Sequence, residues 1–331
     1  MEQSKSVVVA AALLCLAAPV HAQAPAWKDP SPHRVQMVSV DKGVELEVLD
    51  WGGRGRPLVL LAGGGFTAHV YDEFALRFTA HNHVYGITRR GFGASTYSAE
   101  GYGADRAGDD VLAVLDALRL QHPVLVGHSL AGEEMSSIAS RYPRRVAGLV
   151  YLDAAYPYAF DNGTGPAFDE FMKIHGPPTP EPKGADLASF AALQAFDERI
   201  DGFRFPEAEL RQQWEAAADG KPAKQRDLPG YATLMQGMKK FSRIPVPALM
   251  IFANPHSQGP WVEKNTDASV RAAAEQYATS LSDLVGRQIK SVKEGMPTAQ
   301  VVILPGAHHF VFLSNQDEVV KKMRGFLAGL R

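Results

Sequence analysis

An α/β sandwich on a mainly parallel sheet is the fold class this sequence predicts, and three observations predict it. Short continuous apolar runs recur along the chain, as strands buried on both faces of a parallel sheet require. Segments with apolar residues at three-to-four spacing alternate with them, the signature of helices packed on such a sheet. The 331 residues are 46% hydrophobic and 21% charged, a globular balance that excludes global disorder. With 34 Lys+Arg against 36 Asp+Glu, the net charge of -2 gives no reason to expect nucleic acid or an anionic membrane as partner. One cysteine makes neither an internal disulfide nor a thiolate zinc site.

Taken in order, the chain opens with Lys5, an apolar run over 7–18 and then Pro19-Val20-His21-Ala22. This pattern is a secretory signal peptide, 1–22, with cleavage after Ala22 and a secreted or periplasmic product. The run is short of the ~20 residues of a spanning helix, so no stable membrane anchor is expected. Cys15 lies inside it, behind Leu14 rather than a small residue, which argues against lipid attachment. Residues 23–34, rich in Pro and Ala, read as a linker. Segments 35–40 and 44–49 alternate as paired strands around Asp41-Lys42-Gly43. Six apolar runs follow as buried strands: 57–62 (PLVLLA), 83–88 (HVYGIT), 124–126 (VLV), 148–152 (GLVYL), 248–252 (ALMIF) and 301–304 (VVIL). Helical periodicity covers 106–120, 135–142 and 319–330. Residues 156–245 contain no convincing strand, only helical pieces over 187–200 and 206–218 between Gly/Pro-rich connections. A stretch that long is no ordinary loop, so it is read as a helical cap inserted between core segments 35–155 and 246–331. A second insertion, 256–297, carries an amphipathic helix whose apolar stripe includes Val270, Ala274, Tyr277 and Leu284.

The chemistry-bearing motif is Gly127-His128-Ser129-Leu130-Ala131-Gly132, between the VLV strand and a helix. Such a strand–turn–helix elbow holds Ser129 at the strand's carboxyl end with Oγ exposed, and small neighbours are needed because the turn is tight. The Leu130 N–H points into the same space, at a helix N-terminus, where negative charge on a reacting oxygen would be stabilised. His128 is expected to face away from Oγ in a structural role. With this elbow, LLAGGGFTAHVY (60–71) and TRRGFGAS (88–95), most of residues 40–331 resembles the α/β-hydrolase family, in its serine-nucleophile esterase and lipase-like branch. Ala62 stands where that family usually has histidine.

The resemblance implies an eight-stranded sheet and a nucleophile, an acid and a histidine in that chain order. It makes Gly64, with Gly65 next, the second oxyanion donor beside Leu130; three glycines after a buried strand suit close backbone approach. It puts the base at His309 within Gly306-Ala307-His308-His309-Phe310, with His308 the less favoured choice. The acid is less regular. The family commonly places Asp after the ALMIF strand, but here Asn254-Pro255-His256 follows it, and the next carboxylates are Glu263 and Asp267. Some dehalogenase-like members instead carry the acid after the preceding strand, where this chain has Asp153; Asp267, Glu263 and no acid at all remain the alternatives.

The expected activity is hydrolysis of carboxylic esters of small molecules through an acyl-enzyme, with Phe66, Tyr71, Phe160 and Trp261 as walls of the substrate pocket. Lactonase, amidase, thioesterase and acyltransferase chemistry stay open on the same triad, as does a non-catalytic ligand-binding protein on a hydrolase scaffold. No cofactor and no metal are expected. The H-x-H of His81 and His83 enters its strand from the amino end, away from the carboxyl ends where sites of such sheets lie. No complete phosphate-binding glycine motif is present. The oligomeric state is not legible in the sequence.

Overall fold

The computed structural model describes residues 27–330, so the signal peptide expected over 1–22 lies outside the described residues. Eight strands form one sheet. β1 (Arg34–Asp41) and β2 (Val44–Gly53) pair antiparallel around a turn at Gly43, whose φ of 73° suits glycine. β3 (Pro57–Leu61), β4 (His83–Ile87), β5 (Val124–His128) and β6 (Gly148–Leu152) follow. β7 (Trp214–Ala216) and β8 (Pro222–Gln225) make a separate hairpin, and β9 (Ala248–Ala253) and β10 (Gln300–Leu304) return to the large sheet. The order is β1-β2-β4-β3-β5-β6-β9-β10, antiparallel at the β1-β2-β4 edge and parallel from β4 to β10. Every strand expected for the sheet is present.

The continuous apolar runs are explained by what each face meets. Along β3 and β5, Val59, Leu61 and Leu125 join one apolar cluster, with Val111, Met135 and Ile138 of helices Ala104–Ala117 and Ala131–Arg141. Their neighbours Leu58, Leu60, Val124 and Val126 point the other way, onto Phe74, Phe78 and the Val319, Met323 and Phe326 face of helix Gln316–Gly329. A strand with helices on both sides has no polar face to alternate with.

Residues 156–245 hold helices Phe168–Lys173, Phe190–Asp201, Glu207–Gln213 and Pro229–Gln236. The expectation of an all-helical segment is corrected by the β7–β8 hairpin: the helix expected over 206–218 stops at Gln213 and the chain turns extended. Gly220, at φ 82°, allows the tight return, closed by Ala217 N–H to Lys221 O at 2.8 Å. The second insertion becomes the helix Ala268–Gly295, which buries Ala274, Leu284, Val285 and Ile289 on the sheet domain. Residues 27–33, read as linker, are docked instead, with the His33 side chain 3% exposed. Among the described residues, no helix is long and apolar enough to cross a membrane.

Candidate active site

β5 and β6 are adjacent and in register, His128 opposite Leu152, and each is followed by a residue in the left-handed region: Ser129 at φ 51° and Asp153 at φ 48°. For non-glycine residues this is a strained backbone, tolerated where the surroundings hold it. The elbow is fixed by Ser129 N–H to Leu152 O at 3.3 Å and Gly132 N–H to Ser129 O at 2.9 Å. Its small residues are required by space: a Cβ on Gly132 would lie 2.1 Å from the Ala154 carbonyl oxygen.

The loop after β3 leans on this elbow. A Cβ on Gly63 would come 3.1 Å from Ser129 Cβ, and one on Gly64 2.7 Å from the Leu130 side chain. Among the described residues, nothing accepts a hydrogen bond from the N–H of Gly64 or Leu130. Both expected oxyanion donors therefore stand beside the nucleophile with their protons uncommitted. Thr67 anchors the loop: the Glu209 carboxyl accepts from its N–H at 3.2 Å and from its hydroxyl at 2.5 Å. Beneath it, Arg89 bonds the Ala62 carbonyl at 3.3 Å and both oxygens of Glu134 at 3.0 and 3.2 Å.

His309, on the turn after β10, reaches back to β6, where its Nδ1 lies 2.6 Å from Asp153 Oδ2. A carboxylate only accepts, so Nδ1 carries the proton and Nε2 is left as the basic nitrogen. Asp153 is fully buried and has four donors. Oδ2 takes His309 and also His256 Nε2 at 2.7 Å; Oδ1 takes the Tyr156 hydroxyl at 2.9 Å and the Ala253 N–H at 3.0 Å. Burial would raise its pKa, but the charge and hydrogen bond of His256, with the bond from His309, outweigh burial and hold it well below the usual carboxylate range. Tyr156 is pushed the other way, by burial and then by the Asp153 charge, and stays a neutral donor.

The structure thus brings Asp153 and His309 together beside the Ser129 elbow, and it separates the alternatives for the acid from them. Asp267 caps helix Ala268–Gly295, accepting from Ser269 N–H at 2.8 Å, and Glu263 ends a short helix; neither bonds a histidine. His308 Nε2 faces Asp201 at 3.7 Å, and burial, with the neighbouring His309 charge, depresses its pKa to about 3. His128, behind Ser129, is buried and its Nε2 donates to the His309 carbonyl at 3.2 Å; burial keeps it neutral. Sequence reasoning missed three partners. His256 stood in plain view where an acid is usual, but its bond to Asp153 spans 103 residues. Tyr156 and Tyr158 gave no local signal; burial and then the Asp153 charge push the Tyr158 phenol up, against an opposing contribution from the Ser129 side chain.

Of the expected wall residues, Trp261 lines a cavity of about 470 Å³ with Tyr156, Tyr158, Phe168, His256 and His309. Phe66 lines a second cleft, of about 450 Å³, with Gly64, Leu228 and Tyr231. Two expectations are corrected. Tyr71 is core: its hydroxyl donates to Leu61 O at 2.9 Å and its ring packs 4.7 Å from Phe312. Phe160 is also core, under Gly295, where a Cβ would approach its ring to 2.6 Å. Both sit in apolar sequence that reads alike for wall and interior. His83 pairs with Asp50 at 2.8 Å and stacks on Tyr85, at the amino end of β4. Asp153, His256 and His309 also cluster closely enough for one cation, although that would occupy the atoms just described.

The sequence model described as the alpha/beta hydrolase family matches residues 58–322. The chain belongs to the alpha/beta hydrolase family. Among its curated relatives, a non-heme chloroperoxidase of Streptomyces lividans is 34% identical over 143 residues, 40% of this chain and 52% of that protein. A bifunctional esterase/perhydrolase of Acinetobacter calcoaceticus is 34% identical over 122 residues, 36% of this chain and 44% of that protein. The chain therefore matches about half the length of these relatives or less. The crystal structure of E-2-(acetamidomethylene)succinate hydrolase covers 90% of this alpha/beta hydrolase chain and 100% of its own, with a TM-score of 0.62 at 18% identity, a likeness of fold.

Proposed function

We propose that this chain is a serine hydrolase of small carboxylic esters. The observation that carries the reading is the 2.6 Å bond of His309 Nδ1 to the buried Asp153, beside an elbow that presents Ser129. In this reading Ser129 Oγ attacks the ester carbonyl as His309 Nε2 takes its proton. The Gly64 and Leu130 N–H groups hold the oxyanion, and Asp153 stabilises the imidazolium. The leaving alcohol takes that proton, and water activated by His309 hydrolyses the acyl-enzyme. The two clefts, one lined by His309 and the other by Gly64, supply room for the acyl and alcohol parts, and the aromatic lining of the larger favours apolar groups. Export through the segment 1–22 belongs to the same proposal.

The relatives' names favour one second reading, perhydrolysis, in which hydrogen peroxide rather than water accepts the acyl group and a peracid leaves. A fluorophosphonate probe tests the nucleophile, with Ser129→Ala as control. A panel of p-nitrophenyl esters, a lactone and an amide then tests the substrate class, and peracid formation from a carboxylate ester with hydrogen peroxide tests the second reading. Labelling that persists in Ser129→Ala overturns both.

A further inference from the structure

Away from the catalytic cleft, Asp29 and His33 of the docked segment 27–33 meet His69 and Asp72, from the turn and short helix that follow the glycine loop. One side-chain ligand atom from each of the four lies within 4.8 Å of the others. We propose that these four residues form a structural site for a divalent transition cation of the zinc class, stapling the N-terminal segment to the element behind the oxyanion loop.

The distances suit that occupant. Zinc bonds of 2.0–2.2 Å in a tetrahedron put neighbouring ligand atoms about 3.3–3.6 Å apart. Here His69 Nδ1 is 3.3 Å from Asp29 Oδ2 and 3.4 Å from Asp72 Oδ2, and His33 Nε2 is 3.6 Å from Asp29 Oδ2. These separations are long for direct hydrogen bonds and right for edges around an ion. Asp29 Oδ2 carries the independent sign: it is buried and accepts no hydrogen bond, a costly state for a carboxylate oxygen.

The surroundings are those of ligating imidazoles, whose second nitrogen generally donates to a carboxylate. His69 Nε2 faces Glu47 Oε1 at 3.5 Å, and Glu47 in turn accepts from Thr88 Oγ1 at 2.7 Å. His33 Nδ1 lies 2.9 Å from Asp72 Oδ1, which also accepts from the Trp51 indole at 3.2 Å. Three carboxylates thus surround two imidazoles, a charge pattern that favours a dication. Two nitrogens and two oxygens select zinc, cobalt(II) or nickel(II) over calcium, which takes oxygen alone. Four protein ligands leave no open position, so the role is structural. Metal binding displaces any proton held on the ligating nitrogens of the two histidines and releases it to solvent.

The test is metal content of the folded full chain, stripped with chelator and equilibrated with zinc or cobalt(II). Turnover is not the readout, because excess metal can also occupy Asp153, His256 and His309. The expected result is one equivalent retained by wild type and by His309→Ala, with the intense visible bands of tetrahedral cobalt(II). Melting should rise by about 5 °C near 100 times the dissociation constant. His33→Gln and Asp29→Asn should lose the metal, the bands and the shift; Asp29, at 22% side-chain exposure, is the substitution least able to prevent folding. Folded wild type that retains no metal, or metal lost only in His309→Ala, overturns the site. The four residues would then be a proton-bearing ion cluster.

Discussion

At Asp153 the residue scale is clearest. A carboxylate with no exposure survives only because four donors converge on it, two of them imidazoles on one oxygen. Asp153→Asn can turn its amide N–H2 toward His309 Nδ1, which then accepts and holds the imidazole in the wrong tautomer, so the protein should fold yet lose at least ~10²-fold in ester turnover, a fraction of the ~10⁴ lost when a serine protease triad loses its acid. Asp267→Asn, measured beside it, should match wild type, and the reverse ranking would return the acid to the second insertion. His256→Gln keeps a donor toward Oδ2 while His256→Ala leaves none. The alanine variant should therefore lower kcat about 10-fold with little change in KM, as removal of a supporting partner typically costs 10–100-fold. Equal loss in both variants would mean the imidazole matters for more than its donor. The elbow that points to Ser129 and the G-x-x-H spacing that points to His309 were legible in sequence because both are local. The Asp153–His256 bond was not, since it depends on how β6 and β9 pair.

At the scale of elements, helix Glu207–Gln213 reaches down from the inserted segment and holds Thr67 of the glycine loop. Burial pushes Glu209 up to about 7, against the opposing bonds from Thr67 and Gln213, so near neutrality it exchanges its proton. Glu209→Ala should free the loop and slow both turnover and fluorophosphonate labelling by about 10-fold, less than the 10²–10³ lost with an oxyanion donor itself. Turnover reduced with labelling unchanged would separate this contact from the oxyanion loop. All eight sheet strands were readable because buried parallel strands leave uninterrupted apolar runs. The β7–β8 hairpin was not, because Trp214–Ala216 continues a helical pattern and only pairing with Pro222–Gln225 makes it extended.

On the scale of the whole molecule, burial lifts five acids among the described residues: Glu133 to about 8, Glu209 and Asp197 to about 7, Asp201 to about 6, and Glu134 in the same direction against the charge and hydrogen bond of Arg89. Glu133 is opposed by the Arg89 charge, yet neither of its oxygens has a hydrogen-bond partner among the described residues. A raised folded pKa stabilises below the unfolded value, and that contribution is lost as pH rises through the folded one. The slope approaches about 1.4 kcal/mol per pH unit for each group fully titrating. Asp153 has the opposite sign: its depressed pKa stabilises above the ordinary range and is lost only in strong acid. Melting temperature should therefore fall from pH 6 to pH 9, and Glu133→Gln should flatten the upper part of that decline. A wild-type profile rising across this range would contradict it. None of this was legible beforehand, because an acid in a sequence carries no mark of how deeply it will be buried. The same holds for Asp29, His33, His69 and Asp72, whose separation in the chain hid their convergence.

Ser129 and Asp153 close neighbouring strands and both precede the long insertion, while His309 comes after it. Two of the three proposed catalytic side chains are thus fixed by a single strand pairing, whatever length of chain follows. Descendants of this chain could lengthen, shorten or exchange residues 156–245 without altering the spacing of serine and carboxylate. Such changes would act on substrate access and on the loop tied to Glu209. Diversification of specificity is thereby uncoupled from half of the catalytic geometry, and the part of the molecule free to drift is the part that meets the substrate first.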